Sequence, residues 1–366
     1  MRREDPVARL GGDEFVVLLL GLDHPDETAQ RARHIVDAIS EPYDLDGHRL
    51  LMSASAGITL SPQDGTQPDQ LLKNADTALY CAKAEGRRGY RFFAAHMAVN
   101  RQDRLDMEAQ LRDALVTEPF RVVYQPIVDL ASSGITGLEA LVRWEHPVRG
   151  TIAPDAFIPL AEDTGMIVPL GAWVLRQACR DAVLFRPDTR VCVNVSSIQI
   201  KSPHFVTTVR DTLRASGLLA ARLELEITES ILLQQSDGTL SVLNELRRMG
   251  VGISLDDFGT GYSSLGYLRS FRFDRIKIDQ SFVGDLLESA ESEAIVRAVV
   301  GIGNTLGIAT VAEGIETRGQ LRRLRGFGCT EGQGFHFSEA RPAGEIAATL
   351  GIASASRGRS GAGVPA

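Results

Sequence analysis

Little in these 366 residues suits an oxidising or a membrane setting. Cysteine occurs four times, at Cys81, Cys179, Cys192 and Cys329, with no CxxC pair and no histidine at ligand spacing. That pattern speaks against a zinc or disulfide framework and fits a reducing, cytoplasmic protein with buried thiols. Long apolar runs are also missing. The most apolar stretch, AIVRAVVGIGNTLGIATVA (294–312), is broken by Arg297, three glycines and Asn304. It reads as helix, turn and buried strand, whereas a membrane span takes ~20 apolar residues. The charged start, MRREDPVARLGGDEF, does not resemble a signal peptide. Excess positive charge is absent as well. A net charge of −8 argues against broad attraction to DNA, RNA or anionic membrane. It leaves room for a phosphate-bearing small ligand, because metal ions can supply positive charge locally.

What is present divides into two unequal pieces. Residues 1–94 read β-α-β-α: FVVLLLG (15–21) and HRLLMSASAGITL (48–60) as strands, DETAQRARHIVDAIS (26–40) and DQLLKNADTALYCAKAEG (69–86) as helices. No opening strand and helix precede them, so this α+β unit is expected to be partial. A helical segment over 95–116 leads into residues 117–353, a length that fits a (β/α)₈ barrel. Eight strand candidates follow: FRVVYQPI, ITGLEALVRW, RVCVNVS, RLELEITE, GISLDD, DRIKID, IATVAEG and CTEGQGFHF. Only VDLASSG separates the first two, too short for a parallel crossover, so the first pair is expected to be antiparallel. The Gly/Ser-rich tail over 354–366 reads as disordered.

The chemistry collects at strand ends. Alternate strand residues face the same way. In LELEITE, Leu223, Leu225 and Ile227 share one face, and Glu224 and Glu226 share the other. In RIKID, Lys277 and Asp279 oppose Ile276 and Ile278. Asn194 ends an apolar strand, and Glu139, Glu313 and Gln333 take matching places. Adjacent Asp256 and Asp257 add two more carboxylates. The C-terminal rim is where barrels place active sites. A rim this acidic calls for hard cations, and carboxylate and amide oxygens suit Mg²⁺ or Mn²⁺ better than zinc. Paired cations about 3.5–4 Å apart serve phosphodiester hydrolysis.

Seven ordered motifs then carry a resemblance: EALVRWEHP (139–147), VNVS (193–196), ELEITES (224–230), DDFGTGYSSLGYL (256–268), KIDQSFV (277–283), AEGIET (312–317) and GCTEGQGFHFS (328–338). Together they resemble the EAL family of cyclic-di-GMP phosphodiesterases. The resemblance implies a modified TIM barrel that cleaves cyclic di-GMP to linear pGpG with two Mg²⁺ or Mn²⁺, commonly as a homodimer through the barrel. It implies Glu139, Asn194, Glu226 and Asp256 as metal ligands, Asp257 at the second metal, and Glu313 at that metal or as general base. Lys277 would orient the attacking water or offset phosphate charge, with Asp279 in support and Gln333 beside the cluster. Arg143 would bind a substrate phosphate and Gln125 line the pocket. Glu229 would steady the loop after Asp257, where Gly259 and Gly261 permit flexing, and Glu316 would support the same region. Phe335, where the family often has Tyr, is not expected to touch the chemistry. No departure falls on a metal or base position, which favours an enzyme over the family alternative, a catalytically silent cyclic-di-GMP receptor.

RLGGDEF (9–15) and YCAKAEGRRGYRFF (80–93) resemble the GGDEF family of diguanylate cyclases. The resemblance implies a turn at Gly11 and Gly12, a metal carboxylate at Asp13 or Glu14, and an inhibitory RxxD site at Arg2 and Asp5. The family's opening strand, which bears its own metal aspartate, is not in this chain, so cyclase activity is not expected.

Overall fold

The computed structural model describes residues 5–22, 24–45, 48–84, 88–233, 237–259, 268 and 271–349. Arg2, Gly261 and the 354–366 tail lie outside the described residues. Contacts divide the chain into Met1–Ala109 and Gln110–Ala366, with a helix over Ala95–Thr117 running through the division.

In the first unit β1 (Val7–Gly11) and β2 (Glu14–Val17) form an antiparallel hairpin. Its turn falls on Gly12 and Asp13, with Gly12 at φ +52°, so Gly11 closes the strand instead of sharing the turn. β3 (Tyr43–Leu45) and β4 (His48–Leu50) make a second hairpin. β5 (Ala56–Ile58) pairs in parallel with β6 (Tyr90–Phe92). The run over 48–60 is thus two short strands, because its halves have different partners. Helices Pro25–Ile39 and Pro68–Ala84 fall where the periodicity places them. Gly57 lets the second helix come close: a Cβ there would lie 2.0 Å from the Ala75 carbonyl oxygen. Val7, Leu10, Phe15, Leu18 and Leu20 are each more than half exposed.

The second unit is a closed barrel. Its strands are β7 (Phe120–Asp129), β8 (Ile135–His146), β9 (Gly150–Ile152), β10 (Arg190–Asn194), β11 (Leu223–Thr228), β12 (Gly252–Phe258), β13 (Arg275–Ile278), β14 (Ala309–Ala312), β15 (Glu331–Gly332) and β16 (Arg341–Pro342). β8 and β10 through β15 run parallel, and β7 closes the ring antiparallel to both β8 and β15. The antiparallel first pair follows from its short connection. β9 and β16 extend the sheet as short side pairings. β15 is far shorter than CTEGQGFHF suggests. Gly334 (φ +150°) turns the chain away, so tight against Ile315 that a Cβ would sit 2.2 Å from its carbonyl oxygen.

The outward strand faces bury Val191, Val193, Leu223, Leu225, Ile227, Ile253, Leu255, Ile276 and Ile278. Helices cover them, and their ends are set by local chemistry. Arg318–Phe327 starts with a Thr317–Gln320 capping box and stops at Gly328 in the left-handed region. Inside the barrel, Ile127, Cys192 and Val311 form an apolar middle layer, with charged groups above and below it.

Candidate active site

The C-terminal ends of the parallel strands surround a cavity of about 1060 Å³. Asn194, Glu226, Asp257, Glu313 and Gln333 line it, joined by Gln125, Arg143 and Glu316, and Glu139 is buried behind Asn194 and Gln333, to which it is hydrogen-bonded. Strand alternation alone would send Asp256 and Asp257 to opposite faces. A bulge resolves this. Leu255 pairs with Ile276 and Phe258 with Ile278, so three steps on β12 match two on β13. Asp257 takes φ +54°, a left-handed conformation that Asp tolerates better than most residues. Both carboxylates therefore stay at the mouth, and Phe258 returns to the core.

Lys277 is the hub. Its buried Nζ lies 2.6 Å from Glu313 Oε1, 2.8 Å from Glu226 Oε2, 3.3 Å from Asp256 Oδ1 and 3.6 Å from Glu139 Oε1. Glu139 also accepts hydrogen bonds from Asn194 Nδ2 at 2.7 Å and Gln333 Nε2 at 2.6 Å. Gln333 Nε2 lies 3.2 Å from Glu313 Oε1. One ammonium thus faces four acids, and the imbalance shows in their protonation. Burial would raise the Glu139 carboxyl, but Lys277 and the two amide donors outweigh it and hold the group below 4.5. Glu226 is pushed well above its ordinary range, by burial first and then by Glu139 and Asp256. Burial and the same kind of acid repulsion push Glu313 up to about 8. Asp257 rises to about 6 through burial, then Asp256 and Asp279. Burial works against the Lys277 charge, yet the surrounding acids carry its pKa well above 10.5.

This donor set fits a hard divalent cation. Ligand oxygens of Asp256, Asp257 and Glu313 all lie within 4.8 Å of one another. Gln333 Oε1 is buried with no hydrogen-bond partner among the described residues, an amide oxygen left for a further ligand. Cys192, Glu224 and Glu226 also cluster within 4.8 Å. Burial keeps that thiol protonated, which makes the trio a poor cradle for such an ion.

The remaining residues singled out in the sequence fall around this centre. Arg143 is half-buried at the wall and donates NH1 to the Val142 carbonyl at 2.8 Å. Gln125 lies opposite Glu139 across the β7–β8 pair and donates to the Ser338 carbonyl at 3.3 Å. Asp279 caps the Gln280–Gly284 helix, accepting from Ser281 N at 2.9 Å, and its charge acts on Asp257. Glu229 is buried at the start of the helix over Glu229–Leu233. Most of the loop it was expected to steady lies outside the described residues. Phe335, set aside in the sequence, lines the cavity and is largely exposed. Asp155, Ser196, Gln280 and Glu339 line it too. For Asp155, Ser196 and Gln280 a position just past a strand end was the available signal; Glu339, between β15 and β16, had none, and no periodicity marked any of them.

These features define a barrel with an acidic, cation-seeking mouth. The EAL domain family model matches residues 108–340, and this chain belongs to the EAL family. The model for the diguanylate cyclase GGDEF domain matches residues 1–89. Among curated relatives is the bifunctional diguanylate cyclase/cyclic di-GMP phosphodiesterase MucR of Pseudomonas aeruginosa, 43% identical over 96% of this chain and 52% of its own length. Another is the cyclic di-GMP phosphodiesterase NbdA of the same organism, 44% identical over 93% of this chain and 44% of its own. The chain spans about half the length of these relatives. A solved structure described as the PaMucR phosphodiesterase in complex with c-di-GMP matches with TM-score 0.64 and 42% identity, covering 66% of this chain and 99% of the other.

Proposed function

We propose that this chain hydrolyses cyclic di-GMP to linear pGpG, using two Mg²⁺ or Mn²⁺ held at the barrel mouth. The observation that carries the reading is the convergence of Glu139, Glu226, Asp256 and Glu313 on one buried ammonium, beneath a cavity large enough for a dinucleotide. The names of MucR, NbdA and the MucR complex supply the substrate class.

Glu139, Asn194, Glu226, Asp256, Asp257 and Glu313 would hold the cations, which would neutralise a phosphodiester and acidify water. The chain's own groups then divide the work. Glu313 would take a proton from the attacking water in the ionised form that an adjacent cation favours. Lys277 keeps the carboxylates ordered and offsets charge on the phosphate. Arg143 presents a guanidinium fork at the wall for the second phosphate. Gln125, Gln333 and Asp279 orient these groups, and Glu229 and Glu316 brace the rim.

The test is product analysis. Purified chain is incubated with cyclic di-GMP plus Mg²⁺, plus Mn²⁺, or with chelator. Release of pGpG in the first two alone is expected. Binding without pGpG under any metal would overturn the enzyme in favour of a receptor.

A further inference from the structure

Below the mouth lies a second set of charges. Arg190, Glu224 and Glu331 are buried and Arg275 is partly so, all inside the barrel. Arg190 forks onto Glu331, with NH1 to Oε1 at 2.9 Å and NH2 to Oε2 at 2.8 Å, and its Nε lies 3.4 Å from Glu224 Oε2. Arg275 donates Nε to Glu331 Oε2 at 2.8 Å and NH1 to Glu224. Thr136 adds a bond to Glu331 Oε1 at 2.6 Å. Two arginines meet two glutamates, so the ring is neutral. It links β8, β10, β11, β13 and β15.

Each ring member stands on a strand that supplies the mouth. Glu224 precedes Glu226, Arg275 precedes Lys277 and Glu331 precedes Gln333, each by two residues, and Arg190 precedes Asn194 by four. This spacing exposes an ambiguity. A one-residue slip would turn each strand inside out and is excluded by the apolar face. A two-residue slip is not. In LELEI it replaces Glu226 with Glu224 while Leu223, Leu225 and Ile227 keep facing out. In RIKI it replaces Lys277 with Arg275, charge for charge. Hydrophobic patterning and inward charge therefore tolerate the wrong register, which would misplace the acids of the mouth. The bridges of Glu224 to Arg190 and Arg275, and of Glu331 to both arginines, do not tolerate it, because a shift of any one of these strands by about 6.6 Å breaks its bonds.

We infer that Arg190, Glu224, Arg275 and Glu331 form a register lock: positioning residues that select which inward side chains reach the mouth. This rests on the mouth being the cation-binding centre proposed above. Buried ion pairs are weak stabilisers compared with apolar replacements, and fixing register is their best-attested use. Gly137 belongs to the same device. A Cβ there would lie 2.9 Å from the Arg190 guanidinium carbon.

The experiment uses the full chain. A charge-balanced pair, Arg275→Met with Glu224→Gln, is compared with the wild type by thermal melting, Mn²⁺ titration and isoleucine methyl NMR. The expected result is a cooperative melt, at least a tenfold loss of Mn²⁺ affinity, and doubled or displaced signals from Ile227, Ile276 and Ile278. Arg275→Lys, which can keep only part of the bridge, is expected to lose less. Gly137→Ala crowds Arg190 without changing a charge and is expected to move the same signals; it carries the comparison if the pair fails to fold. A single, unshifted set of methyl signals in folded variants, or Mn²⁺ affinity within twofold of wild type, overturns the lock. The methyl readout needs no metal, so it tests the lock even where failure of the wild type to bind Mn²⁺ defeats the reading of the mouth.

Discussion

Lys277 and Asp257 show how single residues make the mouth tolerable. An ammonium shared by four acids lowers the cost of burying them, but one positive charge cannot balance four. Glu139 is the acid with most partners there, holding Asn194 and Gln333 as well as facing Lys277. Glu139→Ala is expected to reduce turnover of cyclic di-GMP to background, checked by pGpG release at saturating Mn²⁺. Glu313→Gln keeps the shape and the contact with Gln333 but removes a proton acceptor. Turnover is expected to fall by about 10²–10⁴-fold, with the melting curve little changed. At this scale the sequence was informative about which residue types meet. It could not show that a left-handed Asp257 keeps both aspartates at the mouth, since period-two reasoning assigns neighbours to opposite faces.

Strands were legible where they alternate cleanly, as in LELEIT, or run long and apolar, as in RVVYQPIVD. The three-residue β9 and the two-residue β15 and β16 are too short for a period to register, and pairing partners decide them. The lower ring was visible in parity alone: Arg190 and Arg275 share a face with Asn194 and Lys277, yet attention to strand ends passed over strand beginnings. This element makes a pH prediction. Burial raises the Glu331 carboxyl, but Arg190 and Arg275 outweigh it and hold the folded value below 4.5. Its contribution is therefore present above the unfolded value and lost as pH falls through the lower folded one. Glu331→Gln is expected to cost ~3–5 kcal/mol near neutrality by leaving two arginines under-partnered. The gap between variant and wild type should narrow below about pH 4, and melting curves across that range check it. A gap that stays constant with pH would contradict the assignment.

Across the whole molecule, the two units differ in what they can do. The barrel gathers its acids around one point. Asp13 and Glu14 sit instead on a hairpin whose strands pair only with each other among the described residues, with no acidic cluster facing them there. Incubation of this chain with GTP and Mg²⁺ is accordingly expected to give no cyclic di-GMP, and appreciable product would refute that. No helix among the described residues is long and apolar enough to cross a membrane. The central claim is that the acids at the barrel mouth are a cradle for divalent cations. Its most direct test is a Mn²⁺ titration followed by electron paramagnetic resonance in wild type and Glu139→Ala. Two bound ions per chain, displaced by Mg²⁺ and lost in the variant, are expected; no binding, or binding unchanged in Glu139→Ala, would contradict it.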